Sequence, residues 1–187
     1  MRLSAHEVHD LHELAMSCVN SITNMACFIN QAQDPQLKSL LQKHFPLHIQ
    51  DYNIKVDLLS KAGVSTQHLP VPKMNQVSIN EHQLTNRYQP VTPRTNVHQF
   101  EDREIATAYL LNLKRAGREY AWSAMESSNP EIRSFLENAF QMSSHHAFEV
   151  WHYMAQKGYY PVQPAQQSSL NMYGQTYQHV PYHQTQM

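Results

Sequence analysis

Residues 129–158 read NPEIRSFLENAFQMSSHHAFEVWHYMAQKG and contain a complete helix with a start and a stop. Asn129 before Pro130 is typical of a helix N-terminus, because asparagine caps the first turn and proline suits its first position. Gly158 is placed to end the helix. One helical face carries the stripe Ile132, Leu136, Ala139, Ser143, Val150 and Met154. The stretch therefore predicts a helix over residues 130–157 that buries one face.

The same signals occur 95 residues earlier in the chain. Pro35, preceded by Asp34, corresponds to Pro130, and Gly63 corresponds to Gly158. Ser39, Leu41 and Phe45 match Ser134, Leu136 and Phe140 at the same offset. These signals predict a helix over residues 34–62, which Pro46 should kink or split, with the stripe Leu37, Leu41, Phe45, Tyr52, Val56 and Leu59. Caps, stops and stripes that agree at one offset favour an internal repeat.

Two further helices precede these two. Ser4 and Glu7 form a capping-box pattern that opens a helix over residues 4–31, with the stripe Leu11, Leu14, Ala15, Cys18, Ile22, Met25 and Ile29. The other helix spans residues 101–127, with the stripe Tyr109, Leu113, Ala116, Tyr120 and Ala124. The first and third stripes are nearly in phase at the repeat offset, so the pattern predicts two helical hairpins.

The remaining segments join or follow these hairpins. A connector of about 35 residues over 64–97 is interrupted by prolines and allows one short helix at 78–86. It is long enough to run beside a helix of about 42 Å. We therefore expect residues 1–160 to form a ferritin-like antiparallel four-helix bundle, built from two helical hairpins with one long crossover connection. Residues 161–187 form a Gln/Tyr/His-rich tail that is expected to be flexible.

Composition excludes several classes of protein. The 187 residues carry a formal net charge of −1, which offers no basic surface for nucleic acid. No apolar run is long enough for a membrane span, and the N-terminus lacks the apolar core of a signal peptide. Synthesis in a cytoplasm is therefore expected. Cys18 and Cys27 lie about 13 Å apart along one helix, too far to pair with each other; they are expected to be free thiols, with cross-chain bonding as the alternative.

The sequence contains one element of a di-iron site. Ferritin-like di-iron proteins use a Glu on each of two helices and a Glu-x-x-His motif on each of the other two. Glu149 and His152 form one such motif. They fall near about 260° and about 200° on a helical wheel whose apolar stripe centres near about 10°, so both are predicted to point away from the core. The corresponding positions of the second helix hold Ile54 and Asp57, so we expect no metal site there.

A second polar group is predicted to face the core. His44, His48, Asp51 and Lys55 lie near the stripe of the second helix, and His146 lies on the inner face of the fourth. Such a group can bind zinc or form a hydrogen-bonded polar layer; the polar layer is the favoured interpretation. The four glycines form no phosphate loop, and Cys-x-x-Cys and Gly-x-Ser-x-Gly motifs are absent. The sequence therefore predicts no catalytic, cofactor-binding or metal-binding residues and no enzyme.

The segment SSNPEIRSFLENAF and the helix end MAQKGYYP, within residues 102–161, resemble the spore coat protein F family. The resemblance extends weakly to residues 34–63 through DPQLKSLLQKHF. It implies a ferritin-like bundle that is made in the mother cell and assembles with other spore coat proteins in the endospore coat. It implies no catalytic residues, no cofactor and no membrane, and it leaves a homo-oligomer open. The alternative is a ferritin-like protein that binds a metal or a small ligand.

Overall fold

A computed structural model describes residues 3–61, 63–74 and 90–181. These residues form five helices: α1 (Ala5–Gln31), α2 (Pro35–Ser60), α3 (Asp102–Glu126), α4 (Pro130–Gln156) and α5 (Gln167–Thr176). The described parts of the chain contain no β-strand. The all-α prediction is therefore confirmed.

Helix ends are set by the residues that the sequence singles out. The Ser4 hydroxyl accepts a hydrogen bond from the Glu7 amide at 3.2 Å, and the Glu7 carboxylate accepts one from the Ser4 amide at 2.8 Å. The predicted capping box is thus present. Asp34 caps α2 and Asn129 caps α4 with the same geometry. In each case the side-chain oxygen accepts a hydrogen bond from the backbone amide two residues later in the chain. Gly63 and Gly158 follow these helices with φ of +93° and +72°, the left-handed region that favours glycine.

Helix α2 differs from its prediction in two respects. It is continuous across Pro46, so that residue does not split it. Its predicted stripe is wrong in the second half, because Val56 is 42% exposed while Tyr52 and Leu59 are only half-buried. The buried face carries Leu37, Leu41, His44, His48, Asp51, Ile54, Lys55 and Leu58. An apolar stripe could not identify this face, since half of its residues are polar.

The four long helices pack in neighbouring pairs. The most extensive contacts join α1 to α2 and α3 to α4, and α1 also packs on α3 while α2 packs on α4. The α1–α3 pair is antiparallel: Arg115 donates to the Ser17 hydroxyl and Asn112 donates to the Ser21 hydroxyl. The α2–α4 pair is also antiparallel, because Gln36 bonds Gln156 while Lys43 bonds Glu149.

Both hairpin turns are held by one carboxylate each, at positions 95 residues apart. Glu7 accepts from the backbone amides of Ser128 and Asn129 in the α3–α4 turn, at 3.0 and 2.8 Å. Asp102 accepts from the backbone amides of Gln33 and Asp34 in the α1–α2 turn, at 2.9 and 3.0 Å. Donors and acceptors all correspond at the offset of the predicted repeat. In both hairpins, therefore, a carboxylate near the start of the first helix binds the turn of the other hairpin.

The described ends of the connector lie against the helices. Leu69 is buried beside Ile54 and Leu58 of α2 and Ile132 of α4, and His145 of α4 bonds the Pro72 carbonyl oxygen. At the other end the Phe100 ring packs edge-on against Phe28, with centroids 5.8 Å apart. The short helix predicted at residues 78–86 lies outside the described residues. Helix α5 lies within the predicted tail and has no buried residue; flexibility of the tail stays a prediction.

Candidate functional site: two buried polar clusters

The first polar cluster, called here the charged cluster, comprises Cys18 of α1, Asp51 and Lys55 of α2, and Tyr120 of α3. Asp51 and Lys55 are completely buried and form an ion pair one helical turn apart. The Tyr120 hydroxyl donates to Asp51 Oδ2 at 2.6 Å and accepts from Lys55 Nζ at 3.0 Å. Cys18 Sγ donates to Asp51 Oδ2 at 3.1 Å. Each polar side chain of the cluster is thus bonded within it.

Burial and the Asp51 carboxylate keep the weak acids of this cluster protonated. Burial raises the pKa of the Cys18 thiol to about 11, and Lys55 opposes the rise while Asp51 adds to it. Burial, and then the charge of Asp51, also raise the pKa of Tyr120 well above its ordinary value. A thiol in this state is a poor nucleophile. The cluster is therefore built to pair charges in the core and not to activate Cys18.

The second polar cluster, called here the histidine cluster, comprises His44 and His48 of α2, Tyr109 of α3, and His146 and Glu149 of α4. The three imidazoles and Tyr109 are buried. The His44 and His146 rings stack with centroids 3.6 Å apart and planes 9° apart. The Tyr109 hydroxyl lies 3.0 Å from His44 Nδ1 and 2.9 Å from His48 Nε2. His44 Nε2 lies 3.1 Å from Glu149 Oε2.

The Glu149 carboxylate sets the direction of this hydrogen-bond chain. A carboxylate only accepts, so His44 must carry its proton on Nε2 and donate to Glu149. His44 Nδ1 then accepts from the Tyr109 hydroxyl, which in turn accepts from His48 Nε2. This arrangement uses one proton on each neutral imidazole. The chain therefore runs from His48 in the core to Glu149, whose side chain is 10% exposed and is also bonded by Lys43.

The histidines are held in their neutral form. Burial lowers the pKa of His44 to about 4, against the opposing effect of Glu149. Burial likewise lowers the pKa of His48 to about 4. The pKa of His146 is also lowered, first by burial and then by the neighbouring charges of His44 and His48. At neutral pH the three imidazoles and Tyr109 therefore form an uncharged layer between α2, α3 and α4, with the charged Glu149 carboxylate at its edge.

The position predicted for Glu149 is wrong. Glu149 reaches the edge of the core instead of pointing away from it, because Lys43 and His44 both bond its carboxylate. Burial acts to raise the pKa of Glu149, but the hydrogen bonds from Lys43 and His44 outweigh it and lower the pKa. A helical wheel marks only the direction of Cβ, and the three further bonds of a glutamate let its carboxylate turn toward a partner.

Two polar atoms of α4 lack partners among the described residues. Ser143 Oγ and His146 Nδ1 are both buried and form no hydrogen bond there. Both belong to side chains that are only 1% exposed. A buried polar group without a partner costs about 1–3 kcal/mol. The inner face of α4 is therefore less well satisfied than that of α2.

The predicted inward group is buried, but it is divided into the two clusters. His44, His48 and His146 meet through ring stacking and Tyr109, whereas Asp51 and Lys55 bond Tyr120. Sequence reasoning missed Tyr109, Tyr120 and Cys18 as polar partners and assigned them only to apolar stripes. The available signal was two tyrosines on the inner face of one helix, since a buried tyrosine hydroxyl usually finds a partner.

The residues present do not fit a ferritin-like di-iron centre. Among the described residues, no group of three or more His, Cys, Asp or Glu side chains is arranged to hold a metal ion. Glu149 is already bonded by a lysine and a histidine. Its counterpart on α2 at the repeat offset is the buried, apolar Ile54. The donor set of two glutamates and two Glu-x-x-His motifs is therefore incomplete.

Comparison with known proteins assigns the class of the second hairpin. Residues 101–163, which span α3 and α4, match the family model described as the Coat F domain. The predicted resemblance to the spore coat protein F family is thereby confirmed.

Two individual proteins are similar over most of the chain. The spore coat protein F-like protein YhcQ of Bacillus subtilis (strain 168) is 22% identical over 157 residues, which cover 84% of this chain and 72% of YhcQ. A crystal structure from Bacillus halodurans C-125, described provisionally as a spore coat protein, matches with a TM-score of 0.65 and 16% identity. That match covers 89% of this chain and 96% of the other. The structural similarity shows a shared fold.

Proposed function

We propose that this chain is a non-catalytic structural component of the bacterial endospore coat that acts by packing against other coat proteins. The match of residues 101–163 to the Coat F domain carries this proposal. The similarity to YhcQ over 84% of the chain extends its support to the first hairpin. In this proposal the chain is made in the mother cell and localises to the spore coat. No helix among the described residues is long and apolar enough to cross a membrane.

The proposed scaffold is a ferritin-like antiparallel four-helix bundle with one long crossover between α2 and α3. The antiparallel bonding of α1 with α3 and of α2 with α4 supports this arrangement. The two turns tied by Glu7 and Asp102 support the pairing of two equivalent hairpins. The buried clusters fit a structural role, because all of their members except His146 are hydrogen-bonded to side chains of other helices or of the same cluster, and these bonds fix how the helices align.

A role in coat assembly is proposed for residues 162–187. The described part of this tail exposes Tyr173, Tyr177, Leu170 and Met172, each by more than half of its surface. Aromatic side chains give a large contact area at a small cost in conformational entropy. Removal of residues 162–187 should therefore leave the melting temperature nearly unchanged and reduce retention in assembled coats.

The proposal is tested by expressing a fluorescent fusion of the full chain from a mother-cell promoter in a sporulating Bacillus. We expect a fluorescent ring around the forespore and recovery of the chain in the coat fraction. The variant lacking residues 162–187 separates a role of the tail from a role of the helices. Diffuse fluorescence in the mother cell and loss of the chain on lysis would contradict a coat role.

The alternative function is the binding of a metal or a small ligand. It is favoured by one observation, the buried Nδ1 of His146, which forms no hydrogen bond with any described residue and could bond a ligand atom. Metal analysis of untagged protein, with a His146→Ala variant as control, tests it. Near-stoichiometric metal that is lost in the variant would establish this alternative, and its absence would leave the structural role.

A further inference from the structure

The outer side of the α1–α3 pair contains a groove that no other described segment covers. Its volume is about 680 Å³, and all of its lining residues belong to α1 and α3. Two large apolar side chains line it, Trp122, which is 71% exposed, and Met16, which is 54% exposed. Leu111 and Met125, 59% and 74% exposed, lie on α3 within about one turn of the groove, one at either end. Exposed apolar groups clustered in this way are typical of an interaction site.

The opposite side of the molecule is different. There the described part of the connector lies against α2 and α4, with Leu69 buried beside them and His145 bonded to Pro72. The large exposed apolar residues of α2 and α4 are only Ile49, Val56 and Phe140. The groove side is therefore the larger uncovered apolar surface on the four long helices.

The two walls of the groove carry opposite charges. The α1 wall has Asp10 and Glu13, whereas the α3 wall has Arg115, Arg118 and Glu119 and so keeps one excess positive charge. Arg115 is bonded by Glu119 and Ser17. Glu13 and Arg118 are exposed and form no ion pair with any residue that the structure describes. One unpaired acid and one unpaired base thus flank the same groove.

We propose that this groove face is the interface of a symmetric dimer of two copies of the chain. Self-complementary charge identifies the occupant, because a surface with an acidic wall and a basic wall can pair with a copy of itself. A two-fold axis parallel to the helices sets α1 of one copy against α3 of the second. Glu13 then faces Arg118 of the second copy, twice per dimer. The other in-plane axis, perpendicular to the helices, would set acidic α1 against acidic α1 and is disfavoured.

The dimensions of the face agree with this assignment. Two neighbouring helices of about 25 residues present a surface about 38 Å long and about 20 Å wide. That is about 760 Å² per copy, close to the roughly 800 Å² of a standard interface. Trp122 lies in the last two turns of α3 and lines the groove there, where it offers an aromatic anchor. The inference does not depend on the coat role, since it concerns the purified chain alone.

Sedimentation equilibrium of the full chain tests the proposal. We expect a dimer, with Glu13→Lys and Arg118→Glu each weakening it by about tenfold or more, because each places like charges together twice. The double variant Glu13→Lys/Arg118→Glu exchanges the charges and should restore the dissociation constant to within about threefold. In a Trp151→Phe background, Trp122 fluorescence should shift to shorter wavelength as the dimer forms.

Glu137→Lys is the matched control, because Glu137 is an exposed glutamate of α4, away from the groove; this variant should dimerise like the parent. Circular dichroism and melting temperature identify any variant that fails to fold. A monomer at all concentrations up to about 100 μM, or a dimer insensitive to both single variants, would overturn the proposal. So would single variants that the double variant does not rescue. Loss of the dimer on removal of residues 162–187 would assign the groove to the tail instead.

Discussion

Helices α2 and α3 meet across the core through polar side chains, whereas α4 and α1, their counterparts at the repeat offset, do not. At that offset His48 and Asp51 of α2 correspond to Ser143 and His146 of α4. Tyr109 and Tyr120 of α3 correspond to Leu14 and Met25 of α1. The tyrosine hydroxyls of α3 bond the polar residues of α2, but α1 has no hydroxyl at the corresponding positions to bond the polar residues of α4. Ser143 and His146 carry the two buried side-chain atoms that form no hydrogen bond with any residue the structure describes.

The difference shows which parts of the repeat can vary. Both halves keep the cap, the glycine stop and the carboxylate that binds the opposite turn. They differ in the middle of the core, where a polar side chain is stable only if its partner on another helix is polar too. A polar residue on α2 and a tyrosine on α3 thus form a hydrogen-bonded pair, and either one without the other would destabilise the core.

Acidification should affect the polar side of the core most. The pKa values of His44 and His48 are lowered to about 4 in the folded chain, from an ordinary value of 6.5. Between pH 6.5 and pH 4 the unfolded chain therefore binds more protons than the folded chain. The stability that is present above pH 6.5 is lost as the pH falls toward 4. We expect these two histidines to remove about 4 kcal/mol between pH 7 and pH 5, measured by urea unfolding.

Two variants locate the source of this pH dependence. His48→Leu should reduce the proton uptake on unfolding by about one, while Tyr109 can still bond His44. Leu41→Ala, which shortens a buried apolar side chain of the same helix, should lower the free energy of unfolding by the same amount at pH 7 and at pH 5. An unfolding free energy that stays constant between pH 7 and pH 5 would contradict a neutral buried cluster.

Breaking the charged cluster should have the next largest effect. Asp51→Ala leaves Lys55 buried without its ion pair, and we expect a loss of about 4 kcal/mol in the free energy of unfolding. The triple variant Asp51→Leu/Lys55→Met/Tyr120→Phe removes both charges and the phenol, and should recover to within about 1 kcal/mol of the parent. Asp57→Ala breaks an ion pair whose lysine is 59% exposed, and should lower the free energy of unfolding far less than Asp51→Ala does.

A triple variant that does not recover the stability of the parent would show a further role of the cluster. If removal of all three polar groups costs as much as Asp51→Ala alone, the cluster stabilises the fold beyond the mutual pairing of its charges. Chemical denaturation with fluorescence and circular dichroism as two probes distinguishes these outcomes, because a loosened core separates the two transitions.

The two turn carboxylates allow a comparison of burial at equivalent positions. Glu7 is 3% exposed, whereas Asp102 bonds its turn at a more open site. Burial acts to raise the pKa of Glu7, but hydrogen bonds from Ser4, Asn129 and Ser128 lower it to about 2. We expect Glu7→Ala to cost about 3 kcal/mol and Asp102→Ala about 1 kcal/mol. Equal losses in thermal unfolding would show that burial does not distinguish the two turns.

Local signals made much of this fold predictable. The caps at Ser4, Asp34 and Asn129 and the stops at Gly63 and Gly158 depend on short-range geometry that a few residues specify. The sequence predicts that Asp51 and Lys55 face the core, but it also assigns Tyr52, Val56 and Leu59 to the buried stripe, and these lie outside the buried face. The burial of Asp51 and Lys55 depends on Tyr120, which lies 65 or more residues away. Pairing over that distance is set by helix packing, which an apolar stripe does not encode.

Ser143 offers the smallest effect and the most direct test of the comparison between the two halves. Its hydroxyl is buried without a partner, while its counterpart His48 is bonded by Tyr109. Ser143→Ala removes only the hydroxyl group. The Cβ atom that remains packs close to Gly117, about 3.7 Å from where a Cβ atom of that residue would stand, so the substitution leaves almost no cavity. Removing an unsatisfied hydroxyl should therefore stabilise the chain by about 1 kcal/mol.

The matched control is Ser21→Ala on α1. Ser21 is also a buried helical serine, but its hydroxyl accepts from Asn112 and donates to the Ser17 carbonyl oxygen. Both substitutions gain the same helix propensity, so the difference between them isolates the hydrogen bonds. We expect Ser21→Ala to cost about 1 kcal/mol where Ser143→Ala gains about as much. If both variants shift the urea midpoint in the same direction, Ser143 is not the unsatisfied counterpart of His48, and the contrast between the polar and apolar sides of the core fails at that position.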